Sequence, residues 1–359
     1  VALFASKNRK PGSKIFSLKL LPYSGTVPYL RVVLIFFRSN QVSTGILLAI
    51  FTLLVHLPAL LGFITPDAAP ADGAGMFYNL LFGWLAAQPL LSAIASALLV
   101  FIQGLLVNWL VNNSRVNPER NWLAPLFYVL VMSCVPDFLF LSPAIVAVTV
   151  MPIMLRLIFQ IYKSADPTMI VFDAGFLTAL GALFYIPTLW LFPVILLGLT
   201  HLRSLKPREI AVFMTGLFIP GFLGWIVALW NNMGGGFIQL HFSTLWQFWD
   251  FQTDFQLSTL LRSSLLLLLA LTVLLSFNVY YQKRLMQVQK YNNILYWIIL
   301  VTCVTAILRK TPSVEHFALA GTSVGIFMAL SFQSLKNKAI AEVLFFGLLA
   351  VIGFVMFIF

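Results

Sequence analysis

Charge is scarce in this chain. Only 9% of its residues are Asp, Glu, Lys or Arg, and the acids number just 11 in 359. Soluble domains carry about a quarter charged residues, so a water-facing surface of ordinary polarity is excluded. Cysteine is scarcer still, with Cys134 and Cys303 alone. Two thiols in apolar runs exclude a disulfide framework and give no metal-ligand spacing. What the chain has in abundance is apolar surface: 60% hydrophobic residues and a mean hydropathy of +0.96. It requires lipid as its solvent.

A helix needs about 20 mostly apolar residues to cross a hydrocarbon core of roughly 30 Å. Eleven stretches meet or approach that length, at about 42–64, 89–111, 122–136, 139–161, 168–185, 186–203, 209–231, 259–280, 292–308, 317–334 and 340–359. The third is short and ends at Pro136, and the fifth and sixth form one run broken only around Ile186-Pro187. Basic residues test the assignment independently, because Lys and Arg are retained on the cytoplasmic side. With the N-terminus inside, every Lys and Arg except Arg262, Arg309 and Lys310 falls in an inner segment. Merging the fifth and sixth stretches would reverse every later loop and spoil that agreement. The expectation is an all-α polytopic protein of about 11 transmembrane helices, N-in and C-out, in a bacterial inner membrane. The net charge of +11 then reflects topology and anionic inner-leaflet lipid. It gives no reason to expect nucleic acid.

Residues 1–35 form a basic segment ahead of a single multi-span domain over 36–359. No Met precedes Met76, and residues 1–31 hold no apolar run long enough for a signal-peptide core. The expectation is a native product beginning near Val32 or Val33; a surface-bound cytoplasmic tail is the alternative.

Three expected outer segments are more than turns. The first, 65–88, carries Asp67 and Asp72 and then Met76-Phe77-Tyr78-Asn79-Leu80-Leu81-Phe82-Gly83-Trp84-Leu85. That apolar half is too short to cross, and its Tyr and Trp suit an interfacial helix. Asp72 also reads as that helix's cap, and Asp67 as a solvated turn residue. The second is Val135-Pro136-Asp137-Phe138, a tight turn with a third carboxylate. The third, 231–258, holds Gly234-Gly235-Gly236, which permit tight backbone geometry, and then Trp246 and Trp249, which suit an interfacial anchor.

Arg309 and Lys310, followed by Glu315 and His316, stand on the side that insertion discourages for cations. An anionic ligand such as a lipid phosphate would account for them; a solvated, locally paired loop is the competing reading. Inside the spans, Asp173 and His56 are the clearest ionisable groups. Asp173 lies near an inner end within reach of headgroups or Lys163, and His56 is expected to stay neutral and bond a neighbouring helix's carbonyl.

From Phe36-Phe37-Arg38-Ser39-Asn40 onward, through Phe101-Ile102-Gln103-Gly104, Leu139-Phe140-Leu141-Ser142-Pro143-Ala144 and Phe172-Asp173-Ala174-Gly175-Phe176, the chain resembles an uncharacterised family of polytopic inner-membrane proteins of Bacteroidota. A looser resemblance is to the GT-C membrane glycosyltransferases, which take sugars from polyprenyl-phosphate carriers. Asp67 or Asp72 matches their acid in the first outer loop, residues 74–88 their surface helix, Asp137 their second carboxylate, and Gly181-Ala182-Leu183-Phe184-Tyr185-Ile186-Pro187 a short outer turn. The neighbouring paired acids of the first loop and the large soluble domain after the last span are both missing here.

That resemblance implies Asp67, Asp72 and Asp137 as catalytic carboxylates, Arg309, Lys310 and His316 as lipid-phosphate ligands, and a polyprenyl-phosphate sugar donor as partner, with no cofactor. The chemistry is coherent: transfer passes through an oxocarbenium-like state, a carboxylate serves as base on the acceptor, and cations neutralise the departing phosphate. Two rivals stand beside it. A small-solute or lipid transporter would use broken helices and midplane charges, for which Pro152, Pro187, Pro193 and Gly221-Phe222-Leu223-Gly224 are the available signals. A non-catalytic subunit or scaffold would need only small-residue helix contacts.

Overall fold

The computed structural model describes residues 33–66, 73–117, 119–162, 164–204, 206–245, 262–267, 269–270, 273, 285–308, 314–335 and 337–358. Among the described residues every regular element is helical. In chain order these are α1 Val33–Arg38, α2 Ser43–Leu60, α3 Met76–Ala86, α4 Pro89–Ser114, α5 Leu123–Val131, α6 Pro143–Val148, α7 Val150–Gln160 and α8 Thr168–Phe184. They continue with α9 Phe192–Leu202, α10 Pro207–Trp230, α11 Gly234–Leu245, α12 Met286–Leu308, α13 Gly321–Ser334 and α14 Lys338–Ile358. Short 3-10 helices cover Pro136–Leu139, Ile186–Leu191 and Val314–Ala320.

Proline sets several starts. Pro89, Pro143 and Pro207 each occupy a first helical turn, where the missing N–H costs nothing and φ is already helical. Arg115 ends α4 in the left-handed region at φ 51°. Six described segments are long and apolar enough to cross a membrane by length and composition: Ser43–Leu60, Pro89–Ser114, Pro143–Gln160, Pro207–Trp230, Val314–Ser334 and Lys338–Met356. Of the other expected spans, the third holds the α5 helix of 9 residues, about 14 Å at 1.5 Å per residue, and the eighth lies mostly outside the described residues.

The core is a set of helices sealed by other helices. Every residue of α5 is buried, as is each of Gly321 to Leu330 in α13, and the two pack extensively on one another. A helix apolar on all sides belongs in such a centre. Around it, α2 and α10 turn large apolar side chains outward, including Ile46, Ile50, Leu53 and Leu57, and Phe218, Phe222 and Leu223. Those faces fit lipid.

The α8–α10 pair makes the closest crossing. A Cβ on Gly175 would run into the Phe213 carbonyl, and one on Gly216 into the Phe172 carbonyl. Only glycine lets these backbones touch, which is how apolar helices gain packing energy without a hydrophobic drive between them.

The break expected at Ile186-Pro187 is present. Helix α8 stops at Phe184, Tyr185 is extended at φ −135° and ψ 102°, and the chain re-enters as a 3-10 helix before α9. Pro187 contributes to it, since proline has no N–H to carry the α8 hydrogen-bond ladder on to Leu183 O. A helix is present within 74–88 as α3; its N-cap is Gly75, with no side-chain hydrogen bond, and Asp72, expected as a cap, lies outside the described residues. Gly234-Gly235-Gly236, which permit tight backbone geometry or motion, open helix α11. His56 is fully buried, but its Nδ1 bonds Thr52 O of its own helix at 2.9 Å; the neighbour's carbonyl is not needed, because the i−4 carbonyl is within reach on the same face.

Contacts join the segments in groups. Arg38 donates to Phe332 O and Trp122 N–H to Phe37 O; Arg203 donates to Ser164 O and Tyr291 to Phe159 O. Arg203 also pairs with Glu209 at 3.8 Å. A further group holds residues 73–78, 92–96, 137–141, 184–186, 262 and 314–316, joined as described next.

Candidate functional site

The first expected outer segment is fastened to the α8 break by backbone bonds. Ile186 N–H donates to Gly73 O at 3.0 Å and Gly75 N–H to Phe184 O at 2.8 Å, and Ala74 pairs with Tyr185 as an isolated antiparallel bridge. Gly75 has no room for a Cβ against Leu183 O, so the chain can lie this close only there. Beyond it, α3 is held by Tyr78, whose hydroxyl donates to Leu141 O at 2.8 Å, and by Phe82 against Phe184. Leu141 N–H in turn donates to Ser92 Oγ at 2.8 Å, and Ser96 Oγ to Phe138 O at 3.1 Å. The first and second expected outer segments and the break after α8 thereby share one frame.

Asp137 sits in the first turn of the Pro136–Leu139 helix. A single guanidinium nitrogen of Arg262 lies 3.3 Å from each of its carboxylate oxygens, and the two side chains are only 16% and 8% exposed. Sequence reasoning noted Arg262 as a cation against the topology rule but gave it no partner. The available signal was the carboxylate on the same side.

His316 is fully buried. Its Nδ1 lies 3.2 Å from the Tyr185 hydroxyl and its Nε2 2.7 Å from Thr305 Oγ1. Next to it, Glu315 adds negative charge near Tyr78; burial first, and then that charge, holds the Tyr78 hydroxyl above the usual phenol range. The Pro136–Leu139 turn packs against Val314–Ala320, so the Asp137 and His316 elements are neighbours. Of the six residues expected to form the site, these two are described. Asp67, Asp72, Arg309 and Lys310 lie outside the described residues, although Gly73, the chain neighbour of Asp72, is one of the fastened positions. Tyr78, Tyr185 and Arg262 were not among the expected site residues. Asp173, near the start of α8, is half-buried. Among the described residues no group of three His, Cys, Asp or Glu stands together to hold a metal ion.

No protein-family description matches the chain, and no curated protein matches it in sequence. In three dimensions it is similar to the crystal structure of ArnT from Cupriavidus metallidurans bound to undecaprenyl phosphate, with a TM-score of 0.52 and 13% identity over 87% of this chain. The match spans 63% of the length of ArnT. At that identity the likeness is one of fold, and with its six long apolar helices the chain is a multi-pass, helical membrane protein.

Proposed function

We propose that this chain is a GT-C-like glycosyltransferase of the bacterial inner membrane that takes a sugar from a polyprenyl-phosphate carrier. The observation that carries the reading is the fold shared with ArnT, a protein seen with undecaprenyl phosphate bound, across 87% of this chain. The fastening of the first expected outer segment beside the Asp137 and His316 elements supports it, because acids and cations must meet on one membrane face. In this reading the chain passes the bilayer about eleven times, N-in and C-out. Asp67 or Asp72 acts as base on the acceptor hydroxyl, and Arg309 and Lys310 neutralise the departing phosphate. Asp137, engaged by Arg262, shapes the site from one side; His316 belongs to the cationic segment.

The test is binding of undecaprenyl phosphate to the purified protein in nanodiscs, with Arg309→Ala/Lys310→Ala beside it, and surface glycans followed in Asp67→Ala, Asp72→Ala and Asp137→Ala strains at normal membrane levels. Saturable binding that the double variant abolishes, with glycans altered by an acid substitution, is the expected result. No binding, with glycans like the parent in all three, overturns it. Solute uptake in vesicles would favour a carrier instead, and a stable co-purified protein a scaffold.

A further inference from the structure

We propose that His316 is a positioning residue that sets the register between the first expected outer segment, at Gly73 and Gly75, and the C-terminal end of α12. This rests on the reading above, in which acids that precede Gly73 and cations that follow α12 in the sequence act together. The chain of contacts is continuous. Gly73, which directly follows Asp72, and Gly75 are held on either side of Tyr185 by the Ile186 and Phe184 backbone bonds. The Tyr185 side chain turns into the core, fully buried, and meets His316 Nδ1 at 3.2 Å. His316 Nε2 meets Thr305 Oγ1 at 2.7 Å, and Thr305 stands about one helical turn ahead of Arg309 in the chain.

One neutral tautomer satisfies the whole row. Thr305 Oγ1 lies 2.8 Å from Val301 O, the carbonyl four residues back, and donates its proton there. Its oxygen then accepts from His316 Nε2–H, which leaves Nδ1 to accept the Tyr185 O–H. Both ring nitrogens are engaged and the ring is shielded from solvent and lipid. With both nitrogens so engaged, His316 acts by position. Sequence separations of 131 residues to Tyr185 and 11 to Thr305 make the imidazole a three-way junction between α8, α12 and the Val314–Ala320 helix.

The experiment measures a distance. Spin labels at Asn79→Cys on α3 and Val304→Cys on α12, both exposed, in a Cys134→Ala/Cys303→Ser background, report the separation of the two segments in the full chain. A single narrow population is expected in the parent. Tyr185→Phe and Thr305→Val, each removing one hydroxyl, should shift and broaden it. His316→Gln, whose amide offers one donor and one acceptor, should restore part of the parent's distribution relative to His316→Ala. Ser96→Ala is the control: it deletes a buried hydrogen bond in the same group of contacts and should leave the distance alone. In the same Tyr185 and Thr305 variants, undecaprenyl phosphate binding should weaken about tenfold, equivalent to about 1.4 kcal/mol. An unchanged distance in both, or an equal change in Ser96→Ala, overturns the positioning role. If the parent binds no undecaprenyl phosphate, the glycosyltransferase reading fails while the distance still decides the junction; if Tyr185→Phe does not accumulate, Thr305→Val decides it.

Discussion

Removing Arg262 should cost the fold far more than removing an exposed arginine. Its guanidinium and the Asp137 carboxylate stand 3.3 Å apart, a separation at which unit charges attract by about 5 kcal/mol at an effective dielectric of about 20. Desolvating both ions cancels much of that gain, so the intact pair adds little net stability. Breaking it is another matter. Arg262→Met keeps most of the stem volume but leaves a carboxylate only 16% exposed without its cation, a loss of about 3–5 kcal/mol. Asp137→Asn keeps shape and an acceptor oxygen and should cost less, about 1.5–3 kcal/mol, the scale of one charge-assisted bond. The double variant should be more stable than Arg262→Met alone, which requires a coupling energy larger than the Asp137→Asn loss itself, hence above about 1.5–3 kcal/mol. Reversible unfolding in mixed micelles, followed by tryptophan fluorescence, gives all four corners of the cycle. Single losses both below about 1 kcal/mol, adding without coupling, would place the pair with exposed surface bridges and refute the reasoning.

Three further outcomes follow from other contacts. Gly216→Ala should separate α8 from α10 and destabilise by about 1–3 kcal/mol, whereas Gly221→Ala on the same helix, with open space around it, should be close to neutral; equal effects in the same unfolding assay would remove the close crossing as the cause. His241, stacked on Phe237 in α11, is held by burial below the usual imidazole range, partly offset by its bond to Phe237 O. The unfolded chain takes up that proton near pH 6.5 and the folded one only at lower pH, so the contribution is full above about 6.5 and is lost as pH falls through the folded value. Hydrogen exchange over 234–245 should quicken from pH 7 to 5 after correction for intrinsic rates, and His241→Phe should remove the acid effect. Finally, single-cysteine labelling in cells should modify Ala71→Cys from the periplasm and Lys206→Cys only after permeabilisation; the reverse pattern would invert the expected topology.

The features legible in the sequence are those set within a few residues. Pro187 announced the break after α8, Tyr78 and Trp84 marked α3 as a helix distinct from the spans, and Pro136-Asp137 marked its turn. What stayed hidden depends on separation. Asp137 and Arg262 stand 125 residues apart, and composition says which side of the bilayer each prefers but not that they meet. Tyr185 gave no sign of its role because a tyrosine in an apolar run fits core or interface equally well; its value comes from His316, far along the chain. The short α5 was read as a span because apolar content does not reveal whether lipid or protein supplies the surroundings.

The burial of α5 has a consequence for biogenesis. Its enclosing surface comes largely from α13, almost two hundred positions later in the chain, and Phe127 reaches further, to Phe332 and Phe345. A nascent polypeptide therefore leaves the ribosome with its middle still open, and the vacancy closes only once Phe332 and Phe345 have been translated. Truncation ahead of those residues would consequently act as a global lesion, exposing an early helix to quality-control proteases.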